Sequence, residues 1–117
     1  MILRTLAFTA ALTTAVSAHV QLITVTMSDN GFAPNKIELL KDSDYELQFV
    51  NTSGKAQDFS ALALFDAGAV ETGDRDKIKD GTVKVEPGRT VELRFMPKNK
   101  GTYPVRGPGA AGTAVVE

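Results

Sequence analysis

The sequence contains no cysteine and no tryptophan, and it has a single histidine in 117 residues. The missing thiols exclude disulfide bonds, cysteine-ligated zinc, iron–sulfur clusters and thiol nucleophiles. One imidazole leaves no nucleophile and base pair unless His19 itself serves as the base, so the chain is not expected to be an enzyme. An excess of one charge is missing too. Thirteen Lys and Arg face 14 Asp and Glu, a net charge of −1. That balance lacks the basic surface that nucleic acid requires, and no nucleic-acid partner is expected. The chain also lacks repeats, linkers and low-complexity tracts. What it does have is 43% hydrophobic and 23% charged residues, the composition of one small globular domain.

Residues 1–18 read as a secretory signal peptide. Arg4 supplies the positive start, Leu6 to Val16 is apolar, and Val16-Ser17-Ala18 is a small-residue cleavage site. The apolar run is too short to span a bilayer comfortably, so no membrane anchor is expected after cleavage. The mature domain then runs over 19–117, with 12 basic against 14 acidic residues and a net charge of −2. Its expected address is the periplasm or the exterior. It is expected to be monomeric, with an unidentified periplasmic protein or a metal ion as partner.

Two-residue alternation dominates the mature chain. Ile23, Val25 and Met27 alternate with Thr24 and Thr26, and Tyr45, Leu47 and Phe49 alternate with Glu46 and Gln48. Ile37 and Leu39, Val83 and Val85, and Val91, Leu93 and Phe95 repeat the pattern. Gly101 to Val105 and Thr113 to Val116 close the chain. Asn30-Gly31, Asn51-Thr52-Ser53-Gly54 and Pro87-Gly88 are turn signals. Phe59 to Ala69 is apolar and suits a short strand or a helical turn. Glu71 to Gly81 is polar and suits an exposed loop or short helix. About seven short strands, with turns roughly every ten residues, predict an all-β Greek-key sandwich.

Several motifs carry a more specific likeness. Gly31-Phe32-Ala33-Pro34 is followed by Ile37 and Leu39. Leu47-Gln48-Phe49-Val50-Asn51 forms a strand ending in Asn. Asp58-Phe59-Ser60, Pro87-Gly88, Gly101-Thr102-Tyr103-Pro104 and Gly112-Thr113-Ala114-Val115-Val116 follow in order. In order and spacing they resemble the cupredoxin-like domains, from about Val20 to Glu117. Asp42 stands at a turn where that family often has Gly. The resemblance implies a cupredoxin-type sandwich. It also implies where type 1 copper ligands would stand: a His at the position of Gln57, and a Cys at Gly107 followed by a His and usually a Met. A trigonal thiolate and imidazole site needs those side chains. Gln57 and Gly107 are therefore read as lost-ligand positions, and no type 1 copper is expected.

His19 is the remaining metal candidate. Cleavage after Ala18 would make it the mature N-terminus, offering an α-amino group and a ring nitrogen to Cu(II). The competing reading is an ordinary polar terminus. Gln57-Asp58 is either a remnant polar site, or a Gln bonded to loop backbone beside an Asp tightening a turn. Gly107 to Gly112 matches G-x-G-x-x-G, but only five residues follow, so no dinucleotide-binding helix fits and a shortened loop explains the glycines. Asn51-Thr52-Ser53 fits a glycosylation acceptor but suits a polar turn better. Asp74 to Asp80 balances its charges and suits a solvated face rather than a calcium loop. The expectation is an exported, non-enzymatic binding domain of cupredoxin type without type 1 copper and with no cofactor. The alternative is a copper-handling protein that binds Cu(II) through His19.

Overall fold

A computed structural model describes residues 19–117, so the expected signal peptide at 1–18 lies outside the described residues. The seven expected strands all form. In chain order they are β1 (Val20–Met27), β3 (Lys36–Leu39), β4 (Asp44–Asn51), β8 (Thr82–Val85), β9 (Thr90–Pro97), β10 (Gly101–Gly107) and β11 (Ala110–Val116). Four short strands join them: β2 (Phe32–Ala33), β5 (Gln57–Ser60), β6 (Gly68–Val70) and β7 (Ile78–Lys79). The apolar stretch after Phe59 divides into the end of β5 and a single-turn helix, α1 (Leu62–Asp66). The polar stretch contains a 3-10 helix at Thr72–Lys77.

Two sheets face each other. One has the order β2-β1-β4-β9-β6, and the other β3-β11-β10-β5-β8-β7. The strand alternation has a direct consequence here. Tyr45, Leu47 and Phe49 of β4 turn inward, and Glu46, Gln48 and Val50 turn outward. Val25, Met27, Leu93 and Phe95 join the inner face of the first sheet. Ile37, Leu39, Phe59, Val83, Val85, Val105, Ala114 and Val116 supply the opposing face. With no disulfide, this apolar interior holds the domain together. Buried Tyr45 satisfies its hydroxyl by accepting from the Leu40 N–H at 2.7 Å.

Two pairings are parallel, β1 with β4 and β3 with β11. In the first, Val20 lies level with Asp44 and Met27 level with Asn51. The end of the sandwich that contains Asn51 therefore lies about 23 Å along the strand from the end that contains Val20.

Candidate functional site

The candidate site is the Asn51 end of the sandwich. The period that buries Tyr45, Leu47 and Phe49 puts Asn51 on the same inner face, and its side chain is 1% exposed. A buried carboxamide must find partners. Its Nδ2 donates to the carbonyls of Lys55 at 2.8 Å and Val85 at 2.9 Å. Its Oδ1 accepts from the Ser53 N–H at 2.8 Å and lies 2.7 Å from the Ser53 hydroxyl. The turn after β4 is thus wound around one side chain and tied to the end of β8.

Gln57 continues this network. It is 8% exposed at the start of β5, and its Nε2 donates to the Ser53 hydroxyl at 3.0 Å. Its partner is a side chain, not the loop backbone expected from sequence. Asp58 does not tighten a turn. It is an exposed strand residue level with Lys84.

Gly107 stands at the same end. A Cβ built on it would collide with the ring of Phe32. Phe32 packs edge-to-face on Phe59 with ring centroids 5.8 Å apart, and Phe59 packs on Phe49 at 4.8 Å. Three aromatic rings thus fill the interior beneath Gly107. Gly112 is equally constrained, because its Cβ would strike the Asn35 carbonyl. Between them, Pro108-Gly109 is a two-residue turn joining β10 to β11, with Gly107 level with Ala110. In the G-x-G-x-x-G string, Gly107 makes room for a ring, Gly109 supplies a left-handed turn at φ 62, and Gly112 allows close backbone approach.

This donor set does not fit a type 1 copper ion. Gln57 offers a carboxamide whose nitrogen is engaged by Ser53. Gly107 has no side chain and no room for one, and the chain contains no thiol. Among the described residues no group of three or more His, Cys, Asp or Glu side chains converges. Fold and motif do place Gln57 and Gly107 at one end, linked through Phe32 and Phe59. They leave His19 elsewhere. It is exposed ahead of Val20, at the opposite end of β1.

Chemistry-bearing contacts also gather on the outer face of the first sheet. The run beginning at Asp74 is largely exposed, with Arg75, Asp76, Lys77, Lys79 and Asp80 in solvent, and it also bonds to β9. The Arg94 N–H donates to Asp74 Oδ2 at 2.9 Å, and Lys77 Nζ donates to the Glu92 carbonyl at 2.7 Å. Lys77 also lies 2.7 Å from Asp74. These side chains cover the edge of β9 that three-residue β6 leaves open. The hydrogen bond from Lys77, then that from the Arg94 backbone, lowers the carboxyl pKa of Asp74. Arg94 is bonded to Asp44 at 2.6 Å, and this raises its already high pKa.

Comparison with known proteins agrees with the sandwich. The family profile described as Cupredoxin-like domain matches residues 1–108. The chain belongs to that family. No curated relative matches it. Among solved structures, auracyanin B is similar with a TM-score of 0.60 at 19% identity, over 83% of this chain and 88% of that one. An auracyanin from the photosynthetic bacterium Roseiflexus castenholzii gives 0.61 at 13% identity, over 83% and 97%. A blue copper oxidase from Nitrosomonas europaea gives 0.62 at 14% identity, over 85% of this cupredoxin-like chain but 39% of its own. At these identities the likeness is one of fold.

Sequence reasoning overlooked Asn51, Ser53 and Phe32 as the residues that organise the site. Asn51 was within reach, since it continues the inward positions 45, 47 and 49. The contact of Phe32 with Gly107 had no sequence signal, because residues 32 and 107 belong to different sheets.

Proposed function

We propose that the protein is an exported, non-enzymatic cupredoxin-like domain that works as a binding module without a type 1 copper ion. One observation carries this reading. The Phe32 ring occupies the volume that any side chain at Gly107 would need. The engagement of Gln57 by Ser53 supports it at the second position. A fold hosts many functions, so the argument rests on this end of the sandwich and not on the family alone. The partner is a periplasmic protein that meets the hairpin at the exposed Gly109 and Ala111. A second reading has Cu(II) held by His19 as the mature N-terminus. Its support is the exposure of that residue at the head of β1.

One titration separates the readings. Protein recovered from the periplasm, its first residue fixed by intact mass, is titrated with Cu(II) beside a form carrying one extra residue before His19. The binding-module reading expects no complex tighter than about 1 μM, which is roughly −8 kcal/mol. Tight binding abolished by the extra residue replaces it with the His19 reading. Tight binding that survives the extension overturns both. In the metal-free case, substitutions at Gly109 and Ala111 are expected to reduce recovery of a cross-linked periplasmic partner.

A further inference from the structure

Among the described residues, the first sheet has an unguarded edge. β1 pairs with β4 along all of Val20–Met27, but on its other side β2 covers only Thr26 and Met27. The Thr52 N–H donates to the Met27 carbonyl at 2.9 Å, so the odd-numbered residues of β1 aim their backbone groups at β4. By alternation, Val20, Leu22 and Thr24 aim theirs away from it, where no strand of the described residues pairs with them. Sheet edges are normally blunted by charge, proline or brevity. The edge of β3 carries Lys36 and Glu38, and β7 has two residues, one of them Lys79. Val20 to Val25 carries no charge, proline or glycine, and Leu22 is 60% exposed.

We propose that this edge pairs antiparallel with the same edge of a second copy, about a two-fold axis through Leu22. Three constraints lead to this register. The axis must keep the outward faces of both copies on one side, so only residues of equal parity can stand opposite. β2 sets the limit at Thr26, which Ala33 already holds. Placing Ile23 on the axis would push the partner's Val20 against Thr26, and placing Gln21 there shortens the pairing to three residues. With Leu22 on the axis, Val20 to Thr24 pairs along five residues, and the partner chain leaves just before β2. Val20, Leu22 and Thr24 of each copy then exchange N–H and C=O bonds with Thr24, Leu22 and Val20 of the other.

Charge permits this approach. Glu46 lies level with Leu22 on β4. Three strand spacings, about 14 Å, separate it from its symmetry mate, beyond the screening length at physiological salt. Five paired residues a side are far fewer than the roughly 20–30 of a standard interface, so the dimer forms in a concentration-dependent equilibrium. The monomer expected from the sequence is then the dilute end of this equilibrium, which does not depend on whether the protein binds copper.

Sedimentation equilibrium on the exported protein, from roughly 10 μM to 1 mM, tests the proposal. The average mass is expected to rise toward the dimer across this range. Leu22→Lys is expected to hold it at the monomer, with an unchanged far-UV spectrum. Because the chain has no cysteine, Leu22→Cys supplies a single reporter that a short bis-maleimide should join into a covalent dimer. Leu62→Cys, 55% exposed on α1, should not join. The proposal is overturned by a monomer at every concentration, by a dimer that survives Leu22→Lys, or by equal cross-linking at both positions.

Discussion

The ring of Phe32 lies where a Cβ on Gly107 would have to be. Overpacking of this kind costs about 1–3 kcal/mol. Gly107→Ala is therefore expected to lower the unfolding free energy by that amount, read from urea denaturation. In a Phe32→Leu background, the same substitution should lose more than half of its cost, since contacting sites couple. Equal costs in both backgrounds would show that the collision is not what keeps residue 107 a glycine.

Asn51 anchors the turn after β4 through the carbonyls of Lys55 and Val85. Removing it leaves the buried Val85 carbonyl without this donor, at roughly 1–3 kcal/mol, and the part-buried Lys55 carbonyl to water. Asn51→Ala is expected to destabilise by about 2–3 kcal/mol. Neighbouring Thr52 is exposed, and its hydroxyl lies 3.1 Å from the Met27 carbonyl. Thr52→Ala should cost less than about 1 kcal/mol. Denaturation of the two variants side by side checks the contrast.

Asp74 gives a pH dependence with a definite sign. Its folded carboxyl pKa lies below the usual value, chiefly through Lys77. Such a group stabilises the fold above the unfolded carboxylate pKa, near 3.9, and that stability is lost as the pH falls through the folded value. Asp74→Asn should be less stable than the parent at pH 7. The gap should close as the pH is lowered through and below about 4. Thermal melts of both proteins from pH 7 to pH 2 read this directly, and a gap that persists at the lowest pH would assign the effect to packing.

Asp42 holds a left-handed backbone at φ 66, and its N–H donates to the Pro97 carbonyl at 2.8 Å. The fold requires that geometry, and the side chain gains only an exposed 3.4 Å contact with Lys98. Asp42→Gly should leave stability unchanged or raise it by about 0.5 kcal/mol. Asp42→Val should lower it by about 1–2 kcal/mol. Calorimetric melting of the two variants tests the order, and a stable Val variant would refute it.

The long strands were legible because their burial follows a two-residue period that a sequence displays. Tyr45 to Phe49 and Val91 to Phe95 show it plainly. The short strands β2, β6 and β7 were not legible. Three residues or fewer give no period, and their pairing is decided by partners such as Met96 for Ala69 and Thr26 for Ala33. The site was legible in composition, through the absent thiol and the glycine at 107. Its construction was not, because the buried network of Asn51, Ser53 and Gln57 depends on which end of β8 comes to lie over the turn. His19 drew attention as the sole imidazole, yet the parallel register of β1 with β4 carries it to the far end from Gln57.

The parallel ladder between β3 and β11 sets Lys36 level with Thr113 and Leu39 level with Val116. The second sheet is therefore incomplete until residue 116 is available, and pairings this distant in sequence form slowly. The outermost strand of that sheet thus waits for the last one to be made, and the first and last thirds of the chain close the sandwich together.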